Sequence, residues 1–134
     1  MASRLNPYIQ FDGSAREAME FYQGVLGGEL TMSTFAEFGA GQGPEGDKLM
    51  HSQLETPTGF TLMASDTPQG MSFTPGTNVS ISLSGDDGDL REYFTKLSEG
   101  GKVTVPLEKQ MWGDEFGQFI DRFGISWLVN ISGT

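Results

Sequence analysis

Cysteine is absent from the 134 residues, and histidine occurs once, at His51. Without thiols there is no disulfide, no thiolate metal site and no thiol nucleophile, and nothing speaks for an oxidising compartment. A single histidine cannot build a two-histidine, one-carboxylate metal site. Basic residues are also few. Eight Lys and Arg stand against 18 Asp and Glu, a net charge of −10, which disfavours nucleic acid and anionic membranes as partners. No apolar run approaches the roughly 20 residues of a membrane span. The opening MASRLNPYIQF lacks the apolar core of a signal peptide. A cytoplasmic protein is the expectation, and the length fits one domain, residues 1–134, with room for a core.

What is present is a repeat. FYQGVLGGELTM (21–32) and YFTKLSEGGKVTV (93–105) share an aromatic pair, a short helical run, Gly-Gly and a strand. Each helix opens on a candidate capping box, Ser14 with Glu17 and Asp89 with Glu92. Each ends at glycines suited to a left-handed stop. The apolar faces, Ala15, Ala18, Met19, Tyr22 and Leu26, then Leu90, Tyr93, Phe94 and Leu97, have helical spacing.

A strand precedes each helix, at 7–11 and 78–84; in the second, Val79, Ile81 and Leu83 alternate with polar residues. Further strand-like runs follow at 29–38, 48–55 and 60–66, then at 102–110, 116–121 and 125–132. The chain reads as βαβββ twice, module one at about 1–68 and module two at about 75–134, with a seam at DTPQGMSFTPG (66–76). Alternation with a polar second face predicts sheets that pack a helix on one side and line a cavity with the other.

Four segments, PYIQFDGSAREAMEFYQGVLGGEL, MHSQLE (50–55), LMASD (62–66) and WGDEFGQFIDRFGISWLVNI (112–131), cover most of this pattern. With them the chain resembles the vicinal oxygen chelate superfamily of glyoxalases, bleomycin-resistance proteins and extradiol dioxygenases, and within it the PhnB-like group. The resemblance implies an α+β fold, two βαβββ modules forming a half-open barrel, completed as a homodimer, with a pocket in each barrel. Most of the closing motif is then wiring. Asp121 and Gly124 of DRFG suit a tight turn, and Trp127, sharing a strand face with Val129 and Ile131, packs on a helix. Trp112 and Phe116 sit where a strand re-enters the sheet and are candidates for a pocket rim.

The resemblance implies metal ligands on the first and last strand of each module. The positions that match are Gln10, Met63 or Ser65, Ser80 or Ser82, and Asn130. Gln10 has ligand chemistry; a thioether, hydroxyls and an amide are poor substitutes for imidazole or carboxylate. His51 alternates with Gln53, so both share one face of their strand. It is either a cavity-lining acid–base group or metal ligand, or a hydrogen-bonded strand residue. Met63, Phe35 and Trp112 suggest an apolar lining for a planar ligand, the other methionines being core filling.

Two glycine-rich stretches carry no chemistry. GQGPEG (41–46) has the dinucleotide spacing but contains Pro44 and precedes a strand, so we read the 39–47 segment as a loop. GDDGDL (85–90) lacks the calcium-loop register; its acids suit the second helix start. No cofactor motif supports the methyltransferase label sometimes attached to PhnB-like proteins.

The expectation is a binding protein of the bleomycin-resistance type with an apolar, amide-lined cavity. Its pocket candidates are Gln10, Phe35, His51, Gln53, Met63, Ser80, Ser82, Trp112, Phe116 and Asn130. The alternative is a metal-dependent isomerase, lyase or dioxygenase, with Gln10 and His51 as the ligand candidates. A divalent metal is the cofactor the resemblance implies; these residues do not supply its full ligand set. The sequence leaves catalysis open and assigns no catalytic residue.

Overall fold

The computed structural model describes residues 3–39, 46–68 and 70–133. The chain divides into two compact units, Met1–Thr74 and Pro75–Thr134. The first runs β1 (Tyr8–Phe11), α1 (Ala15–Leu26), β2 (Glu29–Thr34), a 3₁₀ turn (Ala36–Phe38), β3 (Leu49–Glu55) and β4 (Thr61–Asp66). The second runs β5 (Ile81–Gly85), α2 (Asp89–Leu97), β6 (Lys102–Lys109), β7 (Glu115–Ile120) and β8 (Ser126–Ile131). Each is βαβββ.

The sheets have the same wiring. Their orders are β1-β4-β3-β2 and β5-β8-β7-β6. The outer pairs β1–β4 and β5–β8 are parallel, and the other pairs are antiparallel. In the first unit α1 buries Ala15, Ala18, Met19, Tyr22 and Leu26 as the helical spacing predicts, against a sheet face carrying Phe11, Leu54, Leu62 and Ala64. In the second, α2 buries Leu90, Phe94 and Leu97, while Tyr93 stays half-buried. Phe94 meets Phe119 edge-on at 5.1 Å, and Phe119 stacks on Trp127 at 6.3 Å. Each such large side chain contributes roughly 1.5–3 kcal/mol on burial.

The repeated Gly-Gly has one physical cause. Gly27 and Gly100, both at φ +77°, turn the chain out of the helix. The second glycine then lies on the backbone of a β-turn. A Cβ at Gly28 would overlap the Glu55 carbonyl, and one at Gly101 the Ile120 carbonyl. The two turns also match. Phe60 donates its amide to Thr56 Oγ1 at 3.0 Å, and Ile125 donates to Asp121 Oδ1 at 3.0 Å. DRFG is thus the tight turn its sequence predicts, with Gly124 at φ +84°.

Several expectations are corrected. Neither capping box forms: Ser14 makes no side-chain cap hydrogen bond, and Asp89 lies inside α2 behind Gly88. Instead Asp66, at the end of β4, accepts the amides of Gly13 (2.8 Å) and Ala15 (3.0 Å). Asp87 accepts the Asp89 amide at 3.0 Å. The strand expected over 29–38 stops at Thr34, where the register slips past Met50 and a 3₁₀ turn follows. Val79 lies before β5 and is exposed. Met71 and Met111 are exposed as well and fill no core. The glycine-rich 41–46 stretch falls almost entirely outside the described residues.

Candidate functional site

Strand alternation sorts each sheet into a helix-covered face and a second face that, among the described residues of its unit, carries no helix. On β3, Ser52 and Leu54 are fully buried, which turns His51 and Gln53 to the second face. The cross-strand register extends that face. Tyr8 pairs with Met63, Met63 with Gln53, and Gln53 with Thr31. Gln10 pairs with Ser65 and His51 with Ser33, so they belong to the same surface. The Tyr8 and His51 rings lie 5.9 Å apart and tilted. Gln10, His51, Gln53 and Met63, four of the residues singled out from the sequence, therefore share one face of the first sheet. Phe35 does not join them. It is packed in the core at the head of the 3₁₀ turn, its amide donating to the Lys48 carbonyl at 3.1 Å.

The second sheet repeats the division. Trp127, Val129 and Ile131 are buried, so Leu128 and Asn130 occupy the other face. Ser82 pairs with Leu128, Ser84 and Phe116 with Asn130, and Gln118 with Leu128. Ser80, just ahead of β5, shares a 2.7 Å hydrogen bond with Ser126. Trp112, 60% exposed, sits in the β6–β7 loop with its ring 6.4 Å from that of Phe116. Ser80, Ser82, Phe116 and Asn130 thus gather on this second surface, with Trp112 at its rim.

Asp114 is the residue the sequence did not point to. Its Oδ2 accepts the Asn130 side-chain amide at 2.9 Å and its Oδ1 the Gly133 backbone amide at 2.8 Å. The hydrogen bond from Asn130, then that from Gly133, hold its carboxyl below the usual carboxylate range. Only its nearness to Trp112 is visible in the sequence; Asn130 and Gly133 are too distant along the chain to suggest it.

The donor chemistry does not fit the metal that the resemblance implies. The matching positions offer amides, a thioether and hydroxyls, where divalent ions prefer imidazole and carboxylate. Among the described residues, no three His, Asp or Glu side chains are grouped to hold an ion. The two faces suit hydrogen bonding to neutral groups and contact with apolar rings.

Comparison with known proteins agrees with this architecture. The model of the family described as 3-demethylubiquinone-9 3-methyltransferase matches residues 3–130. The chain belongs to that family. It is similar to the crystal structure of protein PA1353 from Pseudomonas aeruginosa, at 37% identity and TM-score 0.86 over 98% of both chains. It is also similar to a PhnB protein from Bacillus cereus, at 23% identity and TM-score 0.77 over 97% of this chain and 100% of that one. A glyoxylase/bleomycin resistance protein/dioxygenase domain from Frankia, at 14% identity and TM-score 0.66 over 98% and 93%, shares the fold. The chain therefore shares its fold with the Bacillus cereus PhnB protein and with the Frankia glyoxylase/bleomycin resistance protein/dioxygenase domain. No helix among the described residues is long and apolar enough to cross a membrane.

Proposed function

We propose that this chain is a small-molecule-binding protein of the bleomycin-resistance type, working without a catalytic metal as a cytoplasmic homodimer. One observation carries the reading. The helix-free face of each sheet bears neutral hydrogen-bonding groups beside apolar and aromatic ones: Gln10, Gln53 and Met63 in one unit, Ser82, Phe116 and Asn130 in the other. Such a mixture orients a ligand through a few polar contacts and binds it through apolar area. The homodimer is supported by the open edges of the sheets, since among the described residues β1 and β5 each pair on one side only.

The test is a screen of planar aromatic fragments by NMR, following the side-chain amides of Gln10, Gln53 and Asn130 and the ring of His51. Binding that shifts these groups together supports the reading. Ligands that shift only residues of the helix-covered faces, or no ligand at all, contradict it. Light scattering checks the assembly, and a monodisperse monomer at micromolar concentration opposes the homodimer.

A further inference from the structure

The β6–β7 loop is built to hold a tryptophan out into solvent. Gln110 donates its amide to the Asp114 carbonyl at 2.7 Å, and Gly113 donates to the Gln110 carbonyl at 3.0 Å, which closes the loop on itself. The chain leaving β8 then lies across it. A Cβ at Gly133 would overlap the Gly113 carbonyl, and the Gly133 amide is bound to Asp114. On this fixed support Trp112 remains 60% exposed, with its ring beside that of Phe116 and two positions from Asp114 in the chain. At that exposure the indole presents its π surface to a ligand.

We propose that the rings of Trp112 and Phe116, the carboxylate of Asp114 and the amide of Asn130 form a subsite for the planar, positively charged part of an aromatic ligand. This deepens the small-molecule-binding reading and rests on it. Charge decides the class of ligand. Asp114 accepts two neutral donors, Asn130 and Gly133, which favour its ionised form without cancelling its charge. Among the described residues no cationic side chain is ion-paired with it; Arg4, Arg91 and Lys96 pair with Glu55, Glu115 and Glu92. Aromatic faces also attract cations, through the negative side of the ring quadrupole. The chain's charge of −10 adds to the attraction at long range. Asn130 completes the site: its NH2 is held by Asp114, which leaves its carbonyl oxygen to accept an N–H from the ligand.

The test uses three isosteres on the full chain at neutral pH and low salt: 1-methylquinolinium, quinoline and quinoline-2-carboxylate. Calorimetry gives the affinities, and NMR of the Trp112 indole and the Asn130 amide gives the place. The cation is expected to bind about tenfold more tightly than neutral quinoline, and the carboxylate more weakly than either. Asp114→Asn should abolish the preference for the cation over quinoline, both measured on that same variant, and Trp112→Ala should weaken both. If quinoline or the carboxylate matches the cation at these residues, the charge assignment is wrong while small-molecule binding stands. If none of the three binds there and the planar fragment screen also finds nothing, both readings fall. The preference among the isosteres is read on the unaltered protein, so it holds even if a variant misfolds.

Discussion

Asp66, the last residue of β4, accepts the backbone amide of Ala15, the first residue of α1, at 3.0 Å across 51 positions of sequence. The same carboxylate accepts Gly13 through that oxygen and Leu49 through the other, at 2.8 and 2.9 Å. One buried side chain thus fixes the start of the helix and the start of β3 to the end of β4. Replacing Asp66 with Ala leaves three backbone donors without their acceptor and is expected to cost several kcal/mol, at about 1–3 kcal/mol for each buried donor left unmade. Ser14→Ala, by contrast, should fall within about 0.5 kcal/mol of the parent. Urea denaturation of both variants checks the contrast, and a larger effect at Ser14 would return the cap to the capping box.

The second glycines of the two repeats are expected to be equally intolerant of a side chain. Gly28→Ala and Gly101→Ala push a methyl group into the backbone of the β3–β4 and β7–β8 turns, and each should lose about 1–3 kcal/mol or more. Gly24, exposed in α1 with no neighbour near its Cβ position, is the control. Gly24→Ala should stabilise by up to about 1 kcal/mol. Losses at Gly28 and Gly101 no larger than the change at Gly24 would mean that close packing against the turns does not set the effect.

Trp127 is buried and donates its indole N–H to Asp121 Oδ2 at 2.9 Å, while Oδ1 holds the turn amides of Phe123 and Ile125. Asp121→Ala removes the acceptor for all three and should destabilise more than Trp127→Phe, which leaves the turn intact and loses about 1–3 kcal/mol for the orphaned carboxylate oxygen. Thermal or chemical denaturation of the pair gives the order. A milder effect at Asp121 would mean that the turn holds itself.

Asp114 ties stability to acidity. Its folded-state pKa lies below the ordinary value of 3.8, so its contribution is present above that value and is lost as pH falls through the folded-state value. The melting-temperature gap between the parent and Asp114→Asn should therefore be widest above about pH 5 and close on acidification. A gap that widens as pH falls would contradict the hydrogen-bond pattern around this carboxylate.

The repeat, the two helices, the sorting of strand faces and the DRFG turn were legible in the sequence because each depends on residues within a few positions of one another. What was not legible depends on distant partners. Asp66 reaches α1 from the far end of the module, and nothing local distinguishes it from a solvent-facing acid, whereas Ser14 has every local mark of a cap and is bypassed. The same holds for Asp114, whose partners Asn130 and Gly133 lie a whole hairpin away. Parity along β3 placed His51 and Gln53 correctly on one face. Parity did not help with Phe35, because the register slip at the end of β2 comes just before it.

The most direct test of metal-free small-molecule binding is a thermal-shift panel of planar aromatic ligands, run in parallel on protein stripped with a chelator and on protein supplied with divalent ions. The account predicts the same ligands and the same shifts in both, with no ion stabilising the protein by itself. Ligand shifts that appear only with a particular ion, or selective stabilisation by that ion alone, would contradict it and make Gln10 and His51 the first residues to replace.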